Sequence, residues 1–253
     1  MRKEDGCEGL KDKVALITGG GTGIGRATAL RLAGCGVHTA INYSRSGEDS
    51  VKTKADCEAL GVRALACQAD VADDAQVRRM VSTVVAELGR LDILVNSAGR
   101  TYFVDHADLE GLEDEYWDEL MDVNVKGLFH CCRAGFPELK KNQGCIVNIT
   151  SVVGLNGRGS SIAYSASKAA AISVTKSLAR VMAPEVRVNS VAPGVVMTRW
   201  VAGQEEHVRR QAENSPLGRA ATPEEVADVA HSLIAQASFV TGQTVVVDGG
   251  MFL

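Results

Sequence analysis

Tyr164 and Lys168 stand four residues apart in the run SIAYSASKAAA, a spacing that puts a phenol and an ammonium on one face of a helix. A neighbouring cation favours phenolate over phenol, so the pair predicts a Tyr pKa drawn down from about 10 toward the range where a side chain exchanges protons near neutral pH. Helical Tyr/Lys pairs are more often surface packing with a snorkelling amine, so the pair counts through its company. Ser151 lies ahead of Tyr164, Asn124 lies ahead of Ser151, and Thr18-Gly-Gly-Gly-Thr-Gly-Ile-Gly25 stands near the N-terminus.

Such side chains need a rigid frame, and the hydrophobic pattern supplies one. Short, nearly continuous apolar runs at Val14 to Ile17, Val37 to Ile41, Ala64 to Ala69, Ile93 to Val95, Ile146 to Ile149, Val186 to Val191 and Val245 to Val247 read as strands buried on both faces. Helical patterns fall between them at Ile24 to Leu32, Glu48 to Leu60, Asp74 to Leu88, Tyr116 to Leu139, Ala163 to Met182 and Pro223 to Ala235. Asp73-Asp74 and Thr222-Pro223-Glu224-Glu225 carry helix-start signals. Alternating strands and helices predict an α/β protein: a doubly wound, Rossmann-like parallel sheet of about seven strands with helices on both faces.

The glycines sit where the first strand hands over to the first helix. Gly19 suits a tight turn after Thr18, Gly23 lets backbone approach a pyrophosphate, and Gly25 allows the new helix to pack closely. Backbone amides and the helix N-terminus there present partial positive charge to an anion. A glycine-rich turn without a ligand is the plainer alternative.

Composition narrows the rest. The 253 residues are 45% hydrophobic and contain no linker, repeat or charge block, which fits one continuous domain. A net charge of −4 offers no basic face for nucleic acid. The start, MRKEDGCEGL, does not resemble a signal peptide, and no membrane-length apolar segment follows, so a cytoplasmic protein is expected. Seven cysteines at scattered positions, without C-x-x-C or Cys/His spacing, are expected as reduced, mostly buried thiols. No metal site is expected, and His38 reads as a packed sheet residue.

Taken together, these residues resemble the short-chain dehydrogenase/reductase family over nearly the whole stretch from Lys13 to Gly250. The resemblance rests on Thr18 to Gly25, Asp70-Val71, Asn96-Ser97-Ala98-Gly99, Asn124, Ser151, Tyr164-x-x-x-Lys168, Pro193-Gly194 with Thr198, and Val247-Asp248-Gly249-Gly250. It implies a nicotinamide cofactor across the carboxyl ends of the strands and a hydride passed to or from a carbonyl or secondary alcohol carbon. Tyr164 would then give its proton to the developing alkoxide, and Ser151 would orient the same oxygen. Lys168 would lower the Tyr pKa and hydrogen-bond the nicotinamide ribose, while Asn124, at a bend in its helix, would hold a relay water.

The same resemblance implies the cofactor contacts. Gly19, Thr22, Gly23, Ile24 and Gly25 would hold phosphate, Asp70 and Val71 the adenine, and Asn96, Ala98 and Gly99 the floor. Pro193, Gly194, Val196 and Thr198 would line the nicotinamide. An acid about twenty residues past the glycines normally takes the ribose 2′-hydroxyl; here Tyr43, Ser44 and Arg45 occupy that place. Hydroxyl and guanidinium suit a 2′-phosphate, so NADP is expected ahead of NAD.

Substrate is the least determined part, since many substrates share the fold. Arg100 to Asp105, Val153 to Ser161 and Met197 to Ser215 are expected to shape the pocket, with Tyr102, Phe103, Leu155 and Trp200 as apolar lining. In 3-oxoacyl carrier protein reductases, which the chain resembles generally, arginines dock the acidic carrier where this chain has His130 and Pro184-Glu185. A small-molecule ketone or secondary alcohol is the expected substrate. Ala166, Ala169, Ala170 and Ser173 could pack closely between subunits of the family's usual homotetramer.

Overall fold

The computed structural model describes residues 6–199, 203, 205–213 and 215–253. Seven parallel strands run β1 (Val14–Thr18), β2 (His38–Tyr43), β3 (Ala64–Gln68), β4 (Ile93–Asn96), β5 (Cys145–Ile149), β6 (Arg187–Pro193) and β7 (Thr244–Val247), in spatial order 3-2-1-4-5-6-7. The helices are α1 (Gly23–Ala33), α2 (Gly47–Ala59), α3 (Asp74–Leu88), α4 (Asp114–Met121), α5 (Leu128–Lys141), α6 (Val153–Asn156), α7 (Ile162–Met182), α8 (Glu205–Glu213) and α9 (Pro223–Ala235). Chain order reverses between β1 and β4, the crevice where open α/β sheets bind ligands.

Alternation along each strand divides the core into two layers. Val14, Leu16, Leu94, Ile146 and Val188 face Val77, Val84, Cys131, Leu139 and Ala171 of α3, α5 and α7. Ala15, Ile17, Val95, Val147 and Val191 face Ala29 and Leu32 of α1 and Val226, Leu233 and Ile234 of α9. Leu16, Ile17, Leu94 and Ile146 are completely buried, each worth roughly 1.5–3 kcal/mol relative to exposure. Helix ends follow side-chain chemistry. Asp73 accepts from the amide of Gln76, Gly89 closes α3 in the left-handed region, and Thr222 and Glu225 form a reciprocal capping box with Pro223 in the first turn.

Two expectations are corrected. The single helix expected over Tyr116 to Leu139 begins at Asp114, widens into a π-helical turn over Asp122–Gly127 and continues as α5 to Lys141. The widened turn sits at Asn124, whose side chain is drawn into bonds with a neighbouring loop, and beside Gly127, where an added β-carbon would come within 2.7 Å of Val71. The short helix α6 and the helix α8 were also not anticipated. Second, the cysteines are not all reduced: Cys7 and Cys35 are joined as a disulfide, leaving five buried thiols. The N-terminal segment returns across the end of α1, and the 28-residue separation forms no recognisable motif. His231 of α9 lies against the same sulfurs, 3.5 Å from Cys35 Sγ, a Cys/Cys/His grouping that spacing did not reveal. His38 is a sheet residue as expected, its Nδ1 accepting from the Arg63 amide.

Candidate active site

The catalytic candidates come from three elements, the π-helical turn, the segment after β5 and α7, and meet over the carboxyl ends of β4, β5 and β6. Ser161 caps α7 by accepting from the amide of Tyr164 at 3.2 Å, which fixes Tyr164 in the first turn and Lys168 one turn later. A buried polar chain holds α7 on the sheet: Asn96 donates to Asn148 at 2.8 Å, Asn148 to Thr175 at 2.9 Å, and Thr175 to the Ala171 carbonyl. Ser151 follows β5 directly. Its hydroxyl donates to the Pro193 carbonyl at the end of β6 and hydrogen-bonds Tyr164.

Lys168 is almost fully buried, its Nζ donating to the Ile149 carbonyl at 3.2 Å and lying 5.7 Å from the centre of the Tyr164 ring. Burial pushes its pKa down to about 8. Tyr164 moves opposite to the sequence expectation: burial pushes it up to about 12, and the Ser151 hydrogen bond opposes this only in part. Desolvation, which spacing along a helix does not show, is the dominant effect, and the group that opposes it is Ser151. Asn124 is buried, with Oδ1 accepting from the Arg100 amide at 2.8 Å and Nδ2 donating to the Arg100 carbonyl and to Ser167 Oγ, each at 3.0 Å. Its side chain therefore clamps the loop after β4 to α7.

Below these residues opens a cleft of about 1100 Å³. Its floor is built by Thr18, whose hydroxyl accepts from the amides of Ser97 and Ala98 at 3.1 Å. Gly19 turns the chain with φ +61°, and a β-carbon on Gly25 would sit 2.3 Å from the Gly19 carbonyl oxygen. That cradle admits backbone and an anion at the start of α1, and little else. The donor set, the cradle and the volume of the cleft fit a dinucleotide.

Of the residues expected to bind cofactor, Gly19, Thr22, Gly23, Ile24, Tyr43, Ser44, Arg45, Asp70, Val71, Ala98, Gly99, Pro193, Gly194, Val196 and Thr198 line this cleft together with Ser151, Tyr164 and Lys168. Asn96 and Gly25 do not. Asn96 is buried behind the floor, bonded to Asn148 and Cys132, and Gly25 acts through helix packing. Among the expected substrate residues, Phe103 lines the cleft. Tyr102 instead stacks on Tyr116 at 4.0 Å and bonds Glu119, Leu155 points outward, and Trp200 lies outside the described residues. Arg158 and Arg199, within two of the segments expected to shape the pocket, line the cleft, whereas sequence reasoning missed Ser46 and the returning C-terminal residues Met251 and Phe252; no local motif marks those three.

The family model described as Enoyl-(Acyl carrier protein) reductase matches residues 19–252. The chain belongs to the short-chain dehydrogenase/reductase family. It is an oxidoreductase of the NAD(P)-dependent kind. A protein named as a ketoacyl reductase of granaticin polyketide synthesis in Streptomyces violaceoruber is 42% identical over 248 residues, covering 95% of this chain and 96% of that one. A 3-oxoacyl-(acyl-carrier-protein) reductase of Staphylococcus aureus is 38% identical, covering 95% and 98%. The crystal structure of a short chain dehydrogenase from Burkholderia cenocepacia in complex with NADP superposes with a TM-score of 0.91 at 34% identity, covering 96% of this chain and 99% of the other.

Proposed function

We propose that this single-domain protein is an NADP-preferring reductase of ketones, interconverting a carbonyl and its secondary alcohol. The observation that carries the reading is that Ser151, Tyr164 and Lys168 line one cleft together with Gly19, Thr22, Gly23 and Ile24 of the glycine-rich turn. When bound, the dinucleotide supplies hydride to the carbonyl carbon. Tyr164 donates its proton to the oxygen as negative charge develops there, and Ser151 hydrogen-bonds the same oxygen and fixes its direction. The Lys168 ammonium would favour the resulting phenolate and would hold the nicotinamide ribose. Asn124 is a positioning residue, locking the loop that floors the site.

The NADP preference is supported by Tyr43, Ser44 and Arg45 at the end of β2, where hydroxyls and a guanidinium replace the acid that takes a ribose 2′-hydroxyl, and by the NADP bound to the Burkholderia relative. A 3-oxoacyl thioester is the second reading, favoured by the names of the two most similar relatives cited. Against carrier docking, His130 is turned to the Val71 carbonyl at 3.0 Å and Glu185 is paired with Lys140, so neither place offers the arginine that an acidic carrier would meet. The exposed Ala166, Ala169 and Ser173 and half-exposed Phe129 on adjoining faces of α7 and α5 support a homotetramer. No described helix is long and apolar enough to cross a membrane, in keeping with a cytoplasmic enzyme.

A panel of ketones, 3-oxoacyl thioesters of a small thiol and the same acyl groups on an acidic carrier, followed by NADPH absorbance, tests the assignment. With the best substrate, Tyr164→Phe is expected to lower kcat by about 10²–10⁴-fold while NADPH binding stays within about two-fold. Near-normal turnover by that variant overturns Tyr164 as the acid.

A further inference from the structure

Arg199 belongs to the segment after β6 that carries the cleft residues Pro193 to Thr198, yet its side chain reaches across to the β2–α2 connection. Its Nη1 lies 2.5 Å from Asp49 Oδ2 and its Nη2 donates to Ser46 Oγ at 2.7 Å, partners some 150 positions away in sequence. The crossing runs over the phosphate turn, since a β-carbon on Gly23 would touch Thr198 Cγ2 at 3.2 Å. Arg199 therefore ends beside Tyr43, Ser44, Arg45 and Ser46 on the same stretch of cleft wall. Arg45 is exposed and has no ion-pair partner among the described residues.

This stretch is where the two nicotinamide dinucleotides differ, by a 2′-phosphate of about −1.5 to −2 charges against a neutral hydroxyl. A guanidinium takes a phosphate through two parallel hydrogen bonds, as it takes a carboxylate. Asp49 occupies that fork now, and as a carboxylate it would repel a phosphate placed beside it. We propose that Arg199 is a specificity residue for the 2′-phosphate: it exchanges Asp49 for the phosphate and completes a seat made with Ser44, Arg45 and Ser46. Choice of dinucleotide is then coupled to closure of the segment that carries Thr198. Asp49 acts as a competitor that releases Arg199 only to a more highly charged anion. The proposal rests on the dinucleotide reading above, and deepens it by assigning selectivity to a residue outside the β2 end.

The test needs no substrate. Titrate the full-length protein with 2′,5′-ADP and with 5′-ADP by calorimetry, and with NADPH and NADH by their fluorescence, for the wild type, Arg199→Ala and Asp49→Asn. Arg199→Ala is expected to weaken 2′,5′-ADP and NADPH about ten-fold and leave 5′-ADP and NADH unchanged, as loss of one charge-assisted pair requires. Asp49→Asn is expected to tighten 2′,5′-ADP and NADPH alone. Both sites are surface-exposed, with side-chain exposures of 57% and 45%, and thermal melts confirm that the variants fold. Equal weakening of both nucleotide classes by Arg199→Ala makes Arg199 a general strap and overturns the proposal, as does an unchanged ratio. Failure of the wild type to bind any of the four removes the dinucleotide reading itself, and the proposal with it.

Discussion

Replacing Lys168 by Met should make the protein more stable and inactive, with the gain in stability confined to a defined pH window. Lys168 has its pKa pushed from 10.5 to about 8 because a buried ammonium is poorly solvated. Below pH 8 the folded protein carries that charge at a cost; the unfolded chain does not. That displacement is equivalent to roughly 3 kcal/mol. Met fills the space of the stem but gives up the hydrogen bond to the Ile149 carbonyl, worth about 1 kcal/mol. The net expectation at pH 7 is a gain of about 2 kcal/mol, or roughly 4–8 °C in Tm for a domain of this size. Between pH 8 and 10.5 the unfolded state binds the extra proton and the folded state does not, so wild-type stability rises with pH relative to the variant. By pH 9.5 the cost of the lysine has fallen to about 1 kcal/mol, and the advantage of Met has nearly vanished. Thermal melts of both proteins at pH 7 and 9.5 check this. A gain equal at both pH values, or a loss at pH 7, would refute the reasoning that burial of the charge sets the pKa.

Other perturbations probe the frame. Asn124→Ala orphans the part-buried amide and carbonyl of Arg100 and is expected to cost about 1–3 kcal/mol in urea unfolding; a cost below about 0.5 kcal/mol would remove the clamp. Gly25→Ala drives a β-carbon against the Gly19 carbonyl at 2.3 Å, whereas at Gly47 the nearest neighbour would stand at an ordinary 3.5 Å. The first variant should lose at least about 2 kcal/mol and nucleotide affinity, while Gly47→Ala should be neutral or better. With Cys7 and Cys35 joined, denatured protein kept from reductant should titrate five thiols, and seven after reduction. Reduction should lower stability by roughly 3–4 kcal/mol for a 28-residue separation; seven thiols before reduction would exclude the bond.

Periodicity and local propensity made the sheet legible. Each expected strand is found within one or two residues, because a run such as Val14 to Ile17 that is buried on both faces has no other stable use. The extensions to Tyr43 and Pro193 come from ladder pairing with Gln68 and Val247, which a single strand's composition does not show. Side chains whose role depends on local geometry were equally legible: Tyr164 and Lys168 on one helix, and the glycines in one turn. What escaped depends on distant partners. Asn96 belonged to a motif, but the residue packed behind it decides that it bridges Asn148 rather than facing the cleft. Arg199 and Cys7 find partners 150 and 28 positions away, and no window of sequence contains both members of such a pair.

The misjudged Tyr164 pKa carries a mechanistic consequence. Burial favours the neutral form of both groups, holding Tyr164 as phenol and drawing Lys168 toward the free amine. At pH 7, ionising a phenol of pKa about 12 costs about 7 kcal/mol, against about 4 kcal/mol for an unshifted one. Carbonyl reduction starts from the protonated phenol and meets none of this cost at the outset. Alcohol oxidation must start from phenolate and meets all of it. Ser151 lowers it through a hydrogen bond from the end of β5, and the Lys168 ammonium stands 5.7 Å from the ring centre on the next turn of α7. The hydroxyl acts without a charge of its own, but the ammonium is lost as pH rises through about 8. Near neutral pH the site therefore stands loaded to give a proton, and support for the reverse reaction is strongest where that ammonium is still protonated.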